Sequence, residues 1–83
     1  NQKVVMRDGI EGSILSVDTD WGFVVINVGE QDGVRENGEL MVSRGGKLVG
    51  KVQISSVEND RSVANVMPGW LQADIKVGDE VLY

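Results

Sequence analysis

Apolar and polar positions along this chain change places in short runs separated by turn-forming residues. Residues 51–55, KVQIS, alternate polar and apolar side chains, the period-two signature of a strand with one buried face. Residues 23–28, FVVINV, are β-branched and too short for a helix. DTDWG at 18–22, RGGK at 44–47 and ENDR at 58–61 place Asp, Asn and Gly between the runs, where the chain must reverse or take a positive φ. RGGK, between LMVS and LVGKV, is the clearest hairpin. Some six short strands, many turns and no amphipathic helical stretch predict an all-β fold, a small six-stranded β-barrel, closed or nearly so.

The pattern also repeats. Residues 12–27 align without a gap on residues 52–67 at an offset of 40, which places Ile14 on Ile54, Ser16 on Ser56, Val17 on Val57, Val24 on Ala64 and Ile26 on Val66. The same offset carries Gly38 onto Gly78, with a one-residue slip between Val34 and Ile75. Two similar three-strand units related by a pseudo-twofold axis are the economical reading. Each runs strand, turn, strand, long loop, strand. Asn65 does not belong in a small core, so Ala64 and Val66 face inward, and Val24 and Ile26 with them. Residues 12–83 form a single barrel domain on this reading, and residues 1–11 are a linker or an edge strand.

Composition narrows the chemistry. At 83 residues the chain is one domain near the lower limit for a core without disulfides or metal. It contains neither cysteine nor histidine, which removes thiol nucleophiles, the usual zinc sets and imidazole acid–base work. Thirteen acidic against eight basic residues give a net charge of −5, which repels a phosphate backbone. No nucleic acid is expected as a partner. No apolar run approaches the roughly 20 residues of a membrane helix. Opening on Asn1, the chain reads as an excised or processed piece, with targeting information upstream.

Residues 26–42, INVGEQDGVRENGELMV, look at first like a phosphate-cradling glycine loop. Such a loop must open a helix, whose N-terminal N–H groups hold the anion; here a strand follows. The expected roles are structural: Gly29 and Gly33 bracket a turn, Val34 plugs the barrel end, and Gly38 takes a backbone angle that disfavours a Cβ. With the GGKLVGKV hairpin behind it, the I-N-x-G-x-x-D-G-V stretch resembles the β-domain of the rod-shape-determining protein MreC family over about residues 26–52. The whole chain, with its closing IKVGDEVLY, is similar to the C-terminal barrel of flagellar assembly protein T and to like barrels that end coiled-coil envelope proteins. The resemblance implies a non-enzymatic module outside the bacterial inner membrane, periplasmic or envelope-associated, that docks partners in a scaffold.

Other constellations have plainer readings. Asp18 and Asp20 could seed a calcium loop but lack the spaced ligands and distal Glu of an EF-hand. The carboxylate pairs Glu30 and Asp32, Glu58 and Asp60, and Asp79 and Glu80 are solvated turn charges in a chain too small for a glycosidase cleft. No Ser-x-x-Lys spacing occurs. No catalytic residue, cofactor or metal site is assigned.

Two surfaces remain. Arg44, Lys47 and Lys51 surround the RGGK hairpin as a positive tip suited to an acidic partner, although hairpins also carry such residues to stay soluble. Trp70 and Leu71 lie in MPGWLQADI, residues 67–75, as interface anchors or, in the case of Trp70, as a lid over one barrel mouth, a role open to Trp21 at the other turn. Trp70 is expected to be partly exposed, and truncation of Arg44 and Lys47 nearly neutral. The partners expected are proteins of the cell envelope, a second copy included, near membrane or wall through upstream segments. The alternatives are a nucleic-acid-binding barrel of the OB or translation-factor kind and an accessory domain of a larger envelope enzyme.

Overall fold

The computed structural model describes residues 3–83. Six strands, β1 (Glu11–Asp18), β2 (Phe23–Ile26), β3 (Glu39–Arg44), β4 (Lys47–Val57), β5 (Ser62–Val66) and β6 (Glu80–Leu82), pair antiparallel. They close a barrel in the order β1-β2-β5-β4-β3-β6. The all-β barrel read from the sequence is the observed fold. Ile14, Val24, Ile26, Leu40, Val42, Val52, Ile54, Ala64 and Val81 fill it, each fully buried. Val66 packs half-buried against them. The RGGK hairpin forms as expected, with Gly45 and Gly46 both at positive φ (60° and 79°), the backbone that a two-residue hairpin loop requires.

Exchanging β1, β2 and β3 with β4, β5 and β6 leaves the list of neighbouring strands unchanged. Both long strands carry a register shift at the same place, between Ile14 and Ser16 and between Ile54 and Ser56. The offset of 40 therefore holds for β1 and β4. It does not hold for the other strands. Ile14 pairs with Ile26 while Ile54 pairs with Ala64, so β5 matches β2 at an offset of 38, because the second turn is two residues shorter. Ser62 then occupies the place of Val24, buried, with its hydroxyl donating to the Val28 carbonyl at 2.8 Å.

Before the third strands the offset is 41. Asn37 N–H donates to Ile54 C=O and Ile54 N–H to Gly38 C=O, both at 2.8 Å; Gly78 N–H donates to Ile14 C=O and Ile14 N–H to Asp79 C=O, both at 2.9 Å. Asn37, not Gly38, is thus the counterpart of Gly78, and both take positive φ (70° and 92°). The conformational role assigned to Gly38 is corrected accordingly. A Cβ on Gly38 would instead run into the Met6 Sδ.

Residues 3–10 form no strand, yet they are not a free tether. Met6 and Ile10 are buried in the core, Met6 N–H donates to the Tyr83 hydroxyl at 3.1 Å, and Tyr83 N–H donates to Ile10 C=O at 3.0 Å. They close the mouth where Val34 is buried. Asn1 and Gln2 lie outside the described residues.

Candidate functional site

In the glycine loop after β2, the backbone N–H groups of residues 29–34 are all engaged within the protein and do not converge on an anion site. Gly29 N–H donates to Asp32 Oδ2 (2.9 Å), Glu30 N–H to Glu58 C=O (2.8 Å), Gln31 N–H to Asn59 C=O (3.0 Å), and Asp32, Gly33 and Val34 N–H groups bond back to Gly29 and Glu30 carbonyls. The short 3₁₀ turn Glu30–Asp32 is a clamp on the 58–61 turn. Val34 is buried as expected.

The hairpin cations divide. Arg44 forks onto Asp79, Nε to Oδ1 at 2.7 Å and Nη2 to Oδ2 at 2.8 Å, and Nη2 also donates to the Asp74 carbonyl at 2.8 Å. Asp79 is only 4% exposed and also accepts the Lys76 N–H at 2.8 Å. The Arg44 hydrogen bond holds the Asp79 carboxyl below its ordinary range against the opposing effect of desolvation, with the Lys76 N–H adding to it; the same bond raises the guanidinium. Arg44 therefore fastens the hairpin to the segment entering β6 and is not a free docking charge. Its truncation is not expected to be neutral, because a nearly buried carboxylate would lose its partner. Lys47 stays exposed beside the glycine turn.

Lys51 joins the hairpin to the second surface. Its Nζ stands 4.0 Å from the centroid of the Trp70 ring, a cation–π arrangement, and 3.9 Å from Glu39 Oε1. Pro68–Trp70 is a single 3₁₀ turn, pre-set by proline at its start. The loop is tied along β4: Met67 N–H donates to Lys51 C=O (3.0 Å) and Gln72 N–H to Val49 C=O (2.8 Å). Leu71 crosses over Gly50 between these bonds, where a Cβ would meet Leu71 Cδ2 at 3.0 Å. Trp70 and Leu71 remain 45% and 39% exposed. Trp70 is thus held without being a lid, and Trp21, at 82% exposed, covers neither mouth.

Between the 67–75 loop and the 18–22 turn lies a cleft of about 340 Å³, walled by Val17, Val66, Leu71 and Ile75 with Asp18 and Asp74 at its rim. The sequence pattern pointed to Leu71 but not to the cleft. The signal was present: eight residues separate Val66 from Ile75, whereas five separate Val28 from Val34, and the longer loop leaves the turn uncovered.

No protein-family model matches the chain, and no curated protein or solved structure matches it significantly.

Proposed function

We propose that this barrel is a non-enzymatic protein-interaction module and that the 67–75 loop is its docking element. The observation that carries this is a pair of exposed apolar side chains, Trp70 and Leu71, fixed by backbone bonds to β4. Large side chains that are ordered before binding lose little entropy on contact, and Trp is a preferred anchor. Closure of the barrel pairs every strand on both sides, so a partner cannot add a strand to an edge. Recognition must pass through side chains and loops. The acidic net charge and the internal engagement of Arg44 and Lys51 weigh against the nucleic-acid-binding alternative. The setting we assign is a bacterial envelope assembly, on the strength of the resemblance to the MreC β-domain and the flagellar assembly protein T barrel.

Site-specific photocrosslinking in the native cell tests the docking element. A photoreactive residue at position 71 should give a discrete protein adduct that is absent from position 60, on the exposed turn at the other mouth. Equal adducts at both positions, or none at 71, overturn the reading.

A further inference from the structure

The cleft beside Leu71 has a counterpart at the opposite mouth, and the two differ in charge. Exchange of the halves carries Val17 onto Val57 and Ile75 onto Val34, and those two line a hollow with Glu30, Arg35 and Glu36. That hollow holds a cation among its carboxylates. The cleft beside Leu71 does not: no Lys or Arg lines it, and among the described residues neither Asp18 nor Asp74 forms a salt bridge. Asp18 Oδ1 accepts only the Trp21 N–H, at 2.9 Å. Arg44 reaches Asp74 at its backbone carbonyl while its fork is committed to Asp79.

We propose that this cleft receives a basic, aliphatic segment of a partner protein, with one aliphatic side chain seated on Val17, Val66, Leu71 and Ile75 and Lys or Arg on either side facing Asp18 and Asp74. The proposal rests on the interaction reading of the 67–75 loop and gives its partner a chemistry. A volume of about 340 Å³ falls at the small end of ligand sites, roughly 300–1,000 Å³, and suits an inserted side chain rather than a broad face. Apolar walls alone would not discriminate among apolar segments. Two carboxylates outside any salt bridge do, since they attract a cation and repel an acidic segment at the same rim, Asp74 the more weakly because the Arg44 charge lies near it. The net charge of −5 adds long-range attraction of the same sign.

The test uses capped synthetic hexapeptides with a Lys-Leu-Lys core, matched by Glu-Leu-Glu, Ser-Leu-Ser and Lys-Ser-Lys cores, titrated into isotope-labelled protein and followed by amide chemical shifts. The Lys-Leu-Lys peptide should move the signals of residues 17–21, 66 and 71–75 saturably and bind tightest of the four. Asp18→Asn and Asp74→Asn should each weaken it roughly two- to fivefold, the scale of a partly exposed ion pair. Both variants should keep the wild-type spectrum, because Asn retains the acceptor for the Trp21 N–H and the Asp74 carboxylate bonds to nothing that fixes the loop. Equal binding of Lys-Ser-Lys would reduce the effect to net charge, and equal binding of Ser-Leu-Ser or Glu-Leu-Glu would remove the carboxylates from it. Shifts centred on the opposite mouth, or no shifts with any peptide, also overturn the proposal. A position-71 adduct without any peptide response would leave the interaction module standing and discard only the basic partner.

Discussion

The two mouths of the barrel are built on matching strand frames and finished in opposite ways. At one, residues 29–33 dock on the 58–61 turn through Glu30 and Gln31 N–H groups, and Met6 and Ile10 fill the remaining space. At the other, a connection three residues longer turns aside onto β4 and leaves Val17, Val66 and Leu71 lining an open cleft. Positions related by the exchange show the same contrast. Gly38 gives room to the Met6 thioether, whereas its counterpart Asp79 anchors Arg44. The paired strands fix the frame at both mouths. Loop length and the N-terminal segment decide which mouth is sealed for stability and which stays available for contact.

The largest effect is expected from one substitution made in both loops. A Cβ on Gly29 would collide with the Glu58 carbonyl and stand 2.7 Å from Arg61 N, and backbone cannot swing aside as a side-chain tip can. Gly29→Ala should therefore cost about 3 kcal/mol, the upper part of the overpacking range. At Gly69 a Cβ would meet nothing within 4 Å, so Gly69→Ala should stay within about 0.5 kcal/mol of wild type, as surface changes do. Urea midpoints of the two variants measure the difference. Similar losses would mean that the sealed and open mouths are equally tight.

This contrast was only half legible in the sequence. The strands, the RGGK hairpin and the Val34 plug follow from local signals: alternation, β-branching, paired glycines and an apolar residue isolated between turns. Met6 and Ile10 escaped because a strandless segment has no periodicity to reveal its burial. Asp79 looked like a solvated turn charge, since its partner Arg44 lies 35 residues away and only barrel closure brings them together. The gap-free alignment at 40 was sound for β1 and β4, where the register shifts coincide. It failed at the turns, where a deleted pair of residues and an inserted triplet leave no mark among similar Val-rich strands.

The Arg44–Asp79 pair supplies the next effect, and acid should reveal it. The Asp79 carboxyl is held below its ordinary value of 3.8 in the folded chain. The unfolded chain therefore takes up the proton first as pH falls. The stabilisation is fully present above 3.8 and is lost as pH drops through the lower native value. Arg44→Ala should lower the urea midpoint at neutral pH and flatten the acid decline, while Lys47→Ala leaves both curves in place. Superimposable acid limbs for Arg44→Ala and wild type would remove the pair as a fastening of this mouth.

The smallest effects distinguish the two tryptophans of the open mouth. Trp70 stacks on Lys51 and hides about half its surface, whereas Trp21 is 82% exposed and contributes to its turn through a main-chain N–H bond to Asp18 that any residue could donate. Full burial would make truncation of Trp70 cost ~3–5 kcal/mol. Partial burial with a half-covered cation–π contact brings the expected loss to about 1–2 kcal/mol. Trp21→Ala should fall within about 0.5 kcal/mol of wild type. A loss for Trp70→Ala on the scale of a core truncation would make Trp70 a lid and withdraw it from the docking surface. A comparable loss for Trp21→Ala would mean that the 18–22 turn is packed in solution, closing the cleft that separates this mouth from the other.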